Sequence, residues 1–271
     1  MTLFELSRYS HILLGFLALA GFWGAAFARK GGARHRQIGR FYLVLMAALL
    51  AVTLVMAVGM VISDQGKRAT FNVYITLVTV CSVWMAWRSI EDRDNVDRYR
   101  GFTCKLLSAL LGGYALFLLL VIVPRVEPIA VKVMVIAFAL LGLVTCGTLL
   151  YRIVRGAGHK QWWLSDHLTA MALNFGATHA SMTILGLSSL VPAVREPAMR
   201  TAILIAWMLA ALAVRLWVGQ RFLKPAPVGR LLARGRVVQS GRTVAFMEGA
   251  LLSSAGETYA TGTVTARVGI V

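Results

Sequence analysis

HILLGFLALAGFWGAAFARKGGARHRQIGRFY, residues 11–42, holds two apolar runs joined by a short cationic loop. The first run extends from Ile12 to Ala28. The loop carries Arg29, Lys30, Arg34, Arg36 and Arg40, and a second apolar run begins at Phe41. This pattern reads as a membrane hairpin with its loop in the cytoplasm. At about 100° per residue, Ala18, Gly21, Ala25 and Ala28 fall within one arc of about 80°, with His11 at its edge. Small residues on one arc let a second helix approach closely, although Leu14 interrupts the stripe and Phe22 flanks it.

Outward from the hairpin, composition points the same way. The chain of 271 residues is 58% hydrophobic and 14% charged, with a mean hydropathy of +0.73. Soluble domains average roughly 45–50% apolar and about 25% charged residues. The chain therefore reads as an integral membrane protein whose surroundings are a lipid bilayer. Its net charge of +17 would suggest nucleic acid in a soluble protein. Here much of the excess lies in short loops beside apolar spans, as the positive-inside rule expects. No basic module interleaved with aromatics appears, so nucleic-acid binding is set aside. Cys81, Cys104 and Cys146 are widely spaced and form neither a metal pattern nor a disulfide framework. The first apolar run reads as a retained span, not a signal peptide.

Seven apolar spans can be drawn, near 11–28, 41–63, 70–87, 106–124, 129–150, 166–191 and 200–218. Each approaches the ~20 residues that a crossing needs. Lys132 lies close enough to the start of the fifth to snorkel, and Pro124, Pro128 and Pro192 fall at span edges. The loops after spans one, three and five carry most of the Lys and Arg. The opposite side has only Arg8, Lys67, Arg68, Arg125, Arg195 and Arg200. The expected topology puts the N-terminus outside and the C-terminus in the cytoplasm.

After about Trp217 the composition changes. Turn signals at Ser240-Gly241 and Ala255-Gly256 separate β-rich runs near 231–238, 243–253 and 258–268. The expectation is an all-α polytopic domain over 1–219, followed over 220–271 by a small antiparallel β meander. An isolated three-stranded sheet needs another surface for its apolar face. It can dock on the cytoplasmic loops, pair with a second copy to make a homo-oligomer, or persist as a relic of gene fusion.

Two resemblances accompany these readings. The loop K-G-x-x-x-H-R-x-x-G-R (Lys30, Gly31, His35, Arg36, Gly39, Arg40), with His11 opening the first span, resembles a group of bacterial multi-pass membrane proteins without an established activity. The W-x-x-D-H-x-x-x-M run of Trp163, Asp166, His167 and Met171 resembles the same group. The resemblance implies a bacterial inner-membrane location. The tail resembles the C-terminal half of phenylacetate-type hot-dog acyl-CoA thioesterases, through Phe222, Leu223, Pro225, Gly229, Gly235, Gly241, Arg242 and Glu248 among others. That family's Asn, His-Gly-Gly turn and helical acid lie in its other half, and a membrane span stands here instead. No catalytic residue is assigned.

The sixth span is the most polar. At helical pitch His167, Asn174, Thr178 and Ser181 fall within about 40° of one line, and His179 lies about 120° away. Two readings stay open: an interhelical hydrogen-bond seam, or a ligand, proton or cofactor site drawn from His11, His167, Asn174, Thr178 and His179. Haem is the specific cofactor alternative. Depth separates the obvious pair, since His11 opens span one outside and His167 opens span six inside, and no two histidines share a level. His35 and His159 read as interfacial. No metal site is assigned. No Walker loop, dinucleotide fingerprint, zinc spacing or nucleophile elbow appears. The functional expectation is binding, transport or sensing through the polar seam. The alternatives are a haem-linked redox protein and a thioesterase-related fusion.

Overall fold

A computed structural model describes residues 3–62, 66–222, 231–240, 244–253, 256 and 258–267. In chain order the helices are α1 (Leu3–Phe27), α2 (Ala33–Ile62), α3 (Gly66–Glu91), α4 (Val96–Tyr99), α5 (Phe102–Phe117), α6 (Ile129–Arg155), α7 (Trp162–Leu190) and α8 (Pro197–Phe222). Three strands follow: β1 (Leu231–Ser240), β2 (Val244–Ser253) and β3 (Thr258–Arg267).

Six of the helices are long and apolar enough to cross a membrane. They coincide with the apolar runs near 11–28, 41–63, 70–87, 106–124, 129–150 and 200–218, except that residue 63 lies outside the described residues. The seventh expected span, near 166–191, falls on α7. Its 29 residues would extend about 43 Å at 1.5 Å per residue, but it is not among the helices that qualify. Asp166, His167, Thr169, Asn174, Thr178, His179 and Ser181 dilute its apolar content.

The hairpin of α1 and α2 forms as the small-residue arc predicts. Ala18 and Ala25 are buried, and a Cβ at Gly21 would sit 3.5 Å from the Cβ of Tyr42 on α2. Gly31 makes the turn with φ of +72°, a left-handed value natural to glycine. The run after α5 continues as a π-helical turn, Leu118–Ile122, and a 3-10 turn, Val123–Arg125. Pro124, which cannot donate a backbone bond, stands in that loosened end.

Packing inside the helical unit rests on close contacts at small residues. Tyr74 on α3 is fully buried and donates its hydroxyl to the Phe138 carbonyl at 3.0 Å. It reaches this position across Gly142 of α6, where a Cβ would lie 1.9 Å from the Tyr74 oxygen. At Gly176 of α7 a Cβ would lie 3.2 Å from the Trp207 carbonyl oxygen on α8. Outward-facing positions are large and apolar, with Leu13, Val44, Val144 and Leu209 all more than 60% exposed. Water does not tolerate that much contiguous apolar surface on a monomer.

The helical unit ends at Leu223, and the strands belong to a second compact unit. Val214–Phe222, which the sequence allows as a fourth strand, is helical. The strands pair antiparallel in the order β1-β2-β3, the expected meander. Register puts Ala233, Leu251 and Ala260 abreast, then Gly235, Gly249 and Gly262, then Val237, Met247 and Val264. The alternate rows are Arg234, Ala250 and Thr261, then Arg236, Glu248 and Thr263. Period-two alternation thus makes the first face largely apolar and gathers Arg234, Arg236, Glu248, Thr261 and Thr263 on the other, beside Leu232, Phe246 and Leu252. Of the two turn signals, Gly241 and Ala255 lie outside the described residues, and Gly256 adopts φ of +84°.

Candidate functional site

The polar side chains of α7 sort into three levels along the helix. The level nearest its start is the most charged. Asp166 receives a bidentate pair from Arg152 at the end of α6, Nε to Oδ2 and Nη2 to Oδ1, both 2.9 Å. The third arm, Arg152 Nη1, donates to the Ala157 carbonyl at 2.8 Å. Trp162 and Tyr151 lay their rings 5.7 Å and 5.3 Å from the guanidinium carbon. The Tyr99 hydroxyl lies against Asp166 but out of hydrogen-bond alignment, and burial pushes its pKa well up. From α8, Arg215 Nε donates to Thr169 Oγ1 at 2.9 Å and Nη2 donates to Ser165 Oγ at 3.0 Å.

His167 lies next to this cluster. Its Nδ1 is 2.9 Å from the Ala86 carbonyl of α3. A carbonyl only accepts, so Nδ1 carries the proton and the neutral ring keeps its lone pair at Nε2. Among the described residues Nε2 has no partner. Lys30 and His35 are near enough for their charges to act on His167.

Lys30 and His35 are held by the end of α1, whose last carbonyls lack helical partners. His35 Nδ1 donates to the Ala25 carbonyl at 2.9 Å. Lys30 Nζ donates to the Ala25 carbonyl at 3.4 Å and to the Ala26 carbonyl. Partial burial lowers the pKa of Lys30. Arg36 donates to the Gly31 carbonyl, and Arg40 is exposed. The K-G-x-x-x-H-R signature is therefore the cap of α1. His35 again has its Nε2 free of partners among the described residues.

The middle level is a hydrogen-bond seam. Asn174 is buried and donates to the Ala170 carbonyl at 3.0 Å, while its Oδ1 accepts from Ser82 Oγ of α3 at 3.0 Å. Thr178 turns its hydroxyl back to the Asn174 carbonyl at 2.7 Å. Ser181 is exposed, so the seam is one residue shorter than the helical projection predicts.

The third level holds His179, off the line as projected. It donates from Nδ1 to the Phe175 carbonyl at 2.8 Å and accepts at Nε2 from the Trp23 indole of α1 at 3.0 Å. Both ring nitrogens are thus engaged, and the ring lies 4.2 Å from Phe175 and 4.9 Å from Trp207. His11 faces α2 instead. The Thr53 hydroxyl donates to the Leu49 carbonyl at 2.8 Å, so His11 Nδ1 donates to Thr53 Oγ1 at 3.0 Å. His11 thus bonds to α2 and His167 to α3, each with its own partner.

Among the described residues, no group of three or more His, Cys, Asp or Glu assembles as for a metal ion. Against known proteins the chain matches no family model, no curated protein and no solved structure. Three members of the site are not signalled by the polar-face reading: Arg152, Ser82 and Arg215. Arg215 had a usable signal, as a lone charge inside an apolar run.

Proposed function

We propose that the chain is a bacterial inner-membrane protein of seven crossing helices that binds a ligand between Lys30, His35 and His167. In this reading the N-terminus is outside, the C-terminus is cytoplasmic, and the site lies at the inner end of the bundle. The asymmetry of Lys and Arg supports the orientation. The length of α7 and its bonds to α3 at Ala86 and Ser82 support it as the seventh crossing. The likeness of the capped loop to the bacterial multi-pass group is consistent with this.

One observation carries the site. Two imidazoles are each fixed by an Nδ1 donor bond to the carbonyl of another helix, and each has an Nε2 without a partner among the described residues. Rings that bind ligands are held in this way, with the far nitrogen spent on orientation. The polar residues deeper on α7 are already engaged by bonds to one another and to α1 and α3. They serve as packing, and the function is binding or sensing at the inner mouth.

The same pair favours a second reading, haem-linked redox chemistry. Two imidazoles whose Nε2 atoms have no partner among the described residues offer the nitrogen donors that haem iron takes from histidine. An absorbance spectrum of the detergent-purified protein separates the two. A Soret band lost in both His35→Ala and His167→Ala supports haem. Without it, thermal shifts with hemin, Zn²⁺ and inorganic phosphate test for binding, and no shift with any of the three sinks the site.

For the tail, we infer a sheet related to half of a hot-dog domain, without chemistry of its own. The meander and its register support the relation. A second copy covering the row of Ala, Gly, Val and Met residues would meet the need of that face for a partner.

A further inference from the structure

Arg215 is the one charged side chain of α8 within the apolar segment from Ala202 to Val218, apart from the helix ends. It stands four residues before Gly219, where the apolar part of the helix ends. At 1.5 Å per residue, that places it about 6 Å inside the edge. A guanidinium at such a depth is costly unless an anion or several dipoles accompany it.

The surrounding groups offset its charge only in part. Asp166, the carboxylate close enough to act on Arg215, spends both oxygens on Arg152 at 2.9 Å. Two guanidiniums therefore share one carboxylate. Arg215 receives only the neutral oxygens of Thr169 and Ser165. Its Nη1 has no partner among the described residues. Its helix neighbours Leu212, Leu216 and Trp217 are each more than half exposed, so the arginine sits beside an apolar outer surface.

We propose that Arg215, anchored by Ser165 and Thr169, binds the phosphate of an anionic phospholipid at the inner headgroup level. Hydroxyl anchors orient the guanidinium and leave one edge for an oxygen of the phosphodiester, a pairing suited to its planar donors. Acyl chains then lie along the exposed side of α8. Basic sites between helices on the cytoplasmic side take acidic headgroups for this electrostatic reason. The inference rests on the membrane-spanning reading of α8, and it is independent of the histidine site.

The test is thermal unfolding of the purified full chain in a neutral detergent. Phosphatidylglycerol is expected to raise the midpoint by several degrees, while phosphatidylcholine and inorganic phosphate at equal concentration do not. The rise is expected to vanish in Arg215→Gln, to survive in part in Arg215→Lys, and to be unchanged in His35→Ala. An equal shift with phosphatidylcholine, or an undiminished shift in Arg215→Gln, overturns the site. Inorganic phosphate reproducing the whole shift overturns the lipid in favour of a free anion. If Arg215→Gln does not accumulate, native mass spectrometry of the unaltered chain decides. Retained phosphatidylglycerol with readily lost phosphatidylcholine is expected, and equal retention overturns the proposal.

Discussion

Arg152 and Asp166 meet through two bonds of 2.9 Å with only 5% and 2% of their side chains exposed. A pair this buried is a mutual dependency. Removing one partner leaves an unpaired charge and costs about 3–5 kcal/mol, whereas replacing both with apolar residues is often neutral. Arg152→Met and Asp166→Leu are each expected to lower the unfolding midpoint sharply in detergent, and the double variant to recover most of the loss. A double variant as weak as the sum of the two would show that the pair is not acting as a unit.

Asn174 joins α7 to α3 through Ser82. Asn174→Leu is expected to destabilise the protein by about 1–2 kcal/mol, since interhelical hydrogen bonds in bilayers are individually modest. A lipid-facing asparagine would behave in the opposite way, because leucine suits hydrocarbon better. A raised midpoint on unfolding in detergent would place Asn174 outside the bundle.

Gly142→Ala sets a methyl group against the Tyr74 hydroxyl. With the oxygen 1.9 Å from that methyl carbon and the ring carbon 3.0 Å away, the helices must part or the ring must move. Overpacking of this kind costs typically 1–3 kcal/mol. Tyr74→Phe removes the nearer atom, so the double variant should be less impaired than the glycine change alone predicts. No recovery would mean that α3 and α6 cannot adjust at that point.

Reporter fusions after Gly66 and Gly241 test the proposed topology. The first is expected to report from outside the membrane and the second from the cytoplasm. If both report from one side, α7 does not cross. Six crossings would then bring both termini to the same face.

The tail is expected to hydrolyse no acyl-CoA. Thioester hydrolysis requires a base or nucleophile and donors aimed at the developing oxyanion, yet residues 222–271 contain no His, Asn or Cys. Glu248 is paired across the sheet with Arg236 at 2.9 Å. Assaying the full chain with short, long and aromatic acyl-CoAs checks this. Turnover that disappears when 222–271 is deleted would overturn it.

The elements of this fold are legible because hydrophobic period and turn chemistry act locally. Runs of apolar residues mark six helices, and Ser240-Gly241 and Ala255-Gly256 bracket strands within two or three residues of their observed limits. The stripe of Ala18, Gly21 and Ala25 is legible for the same reason, as spacing alone puts small residues on one side. The site was less so. Helical projection aligns His167, Asn174 and Thr178, but it cannot tell which helix each will meet. Ser82, Ala86 and Trp23 are set by tertiary crossing. The Arg152–Asp166 pair forms across the turn from Gly156 to Gln161 that joins α6 to α7, a geometry that no periodicity contains. His35 is held by a capping bond to Ala25, which is ten residues away in sequence.

The seam on α7 also bears on how the chain enters its membrane. A helix whose polar groups find partners on α3 and α1 has little reason to leave the translocation channel alone. By its composition it waits for company. α8, which follows after a short turn and packs closely at Gly176, is apolar enough to go in unaided. The two would therefore insert as a hairpin, late in synthesis, against a five-helix sector already in place. A nascent chain cut before Pro197 should leave α7 open to aqueous labelling, and one that includes α8 should protect it.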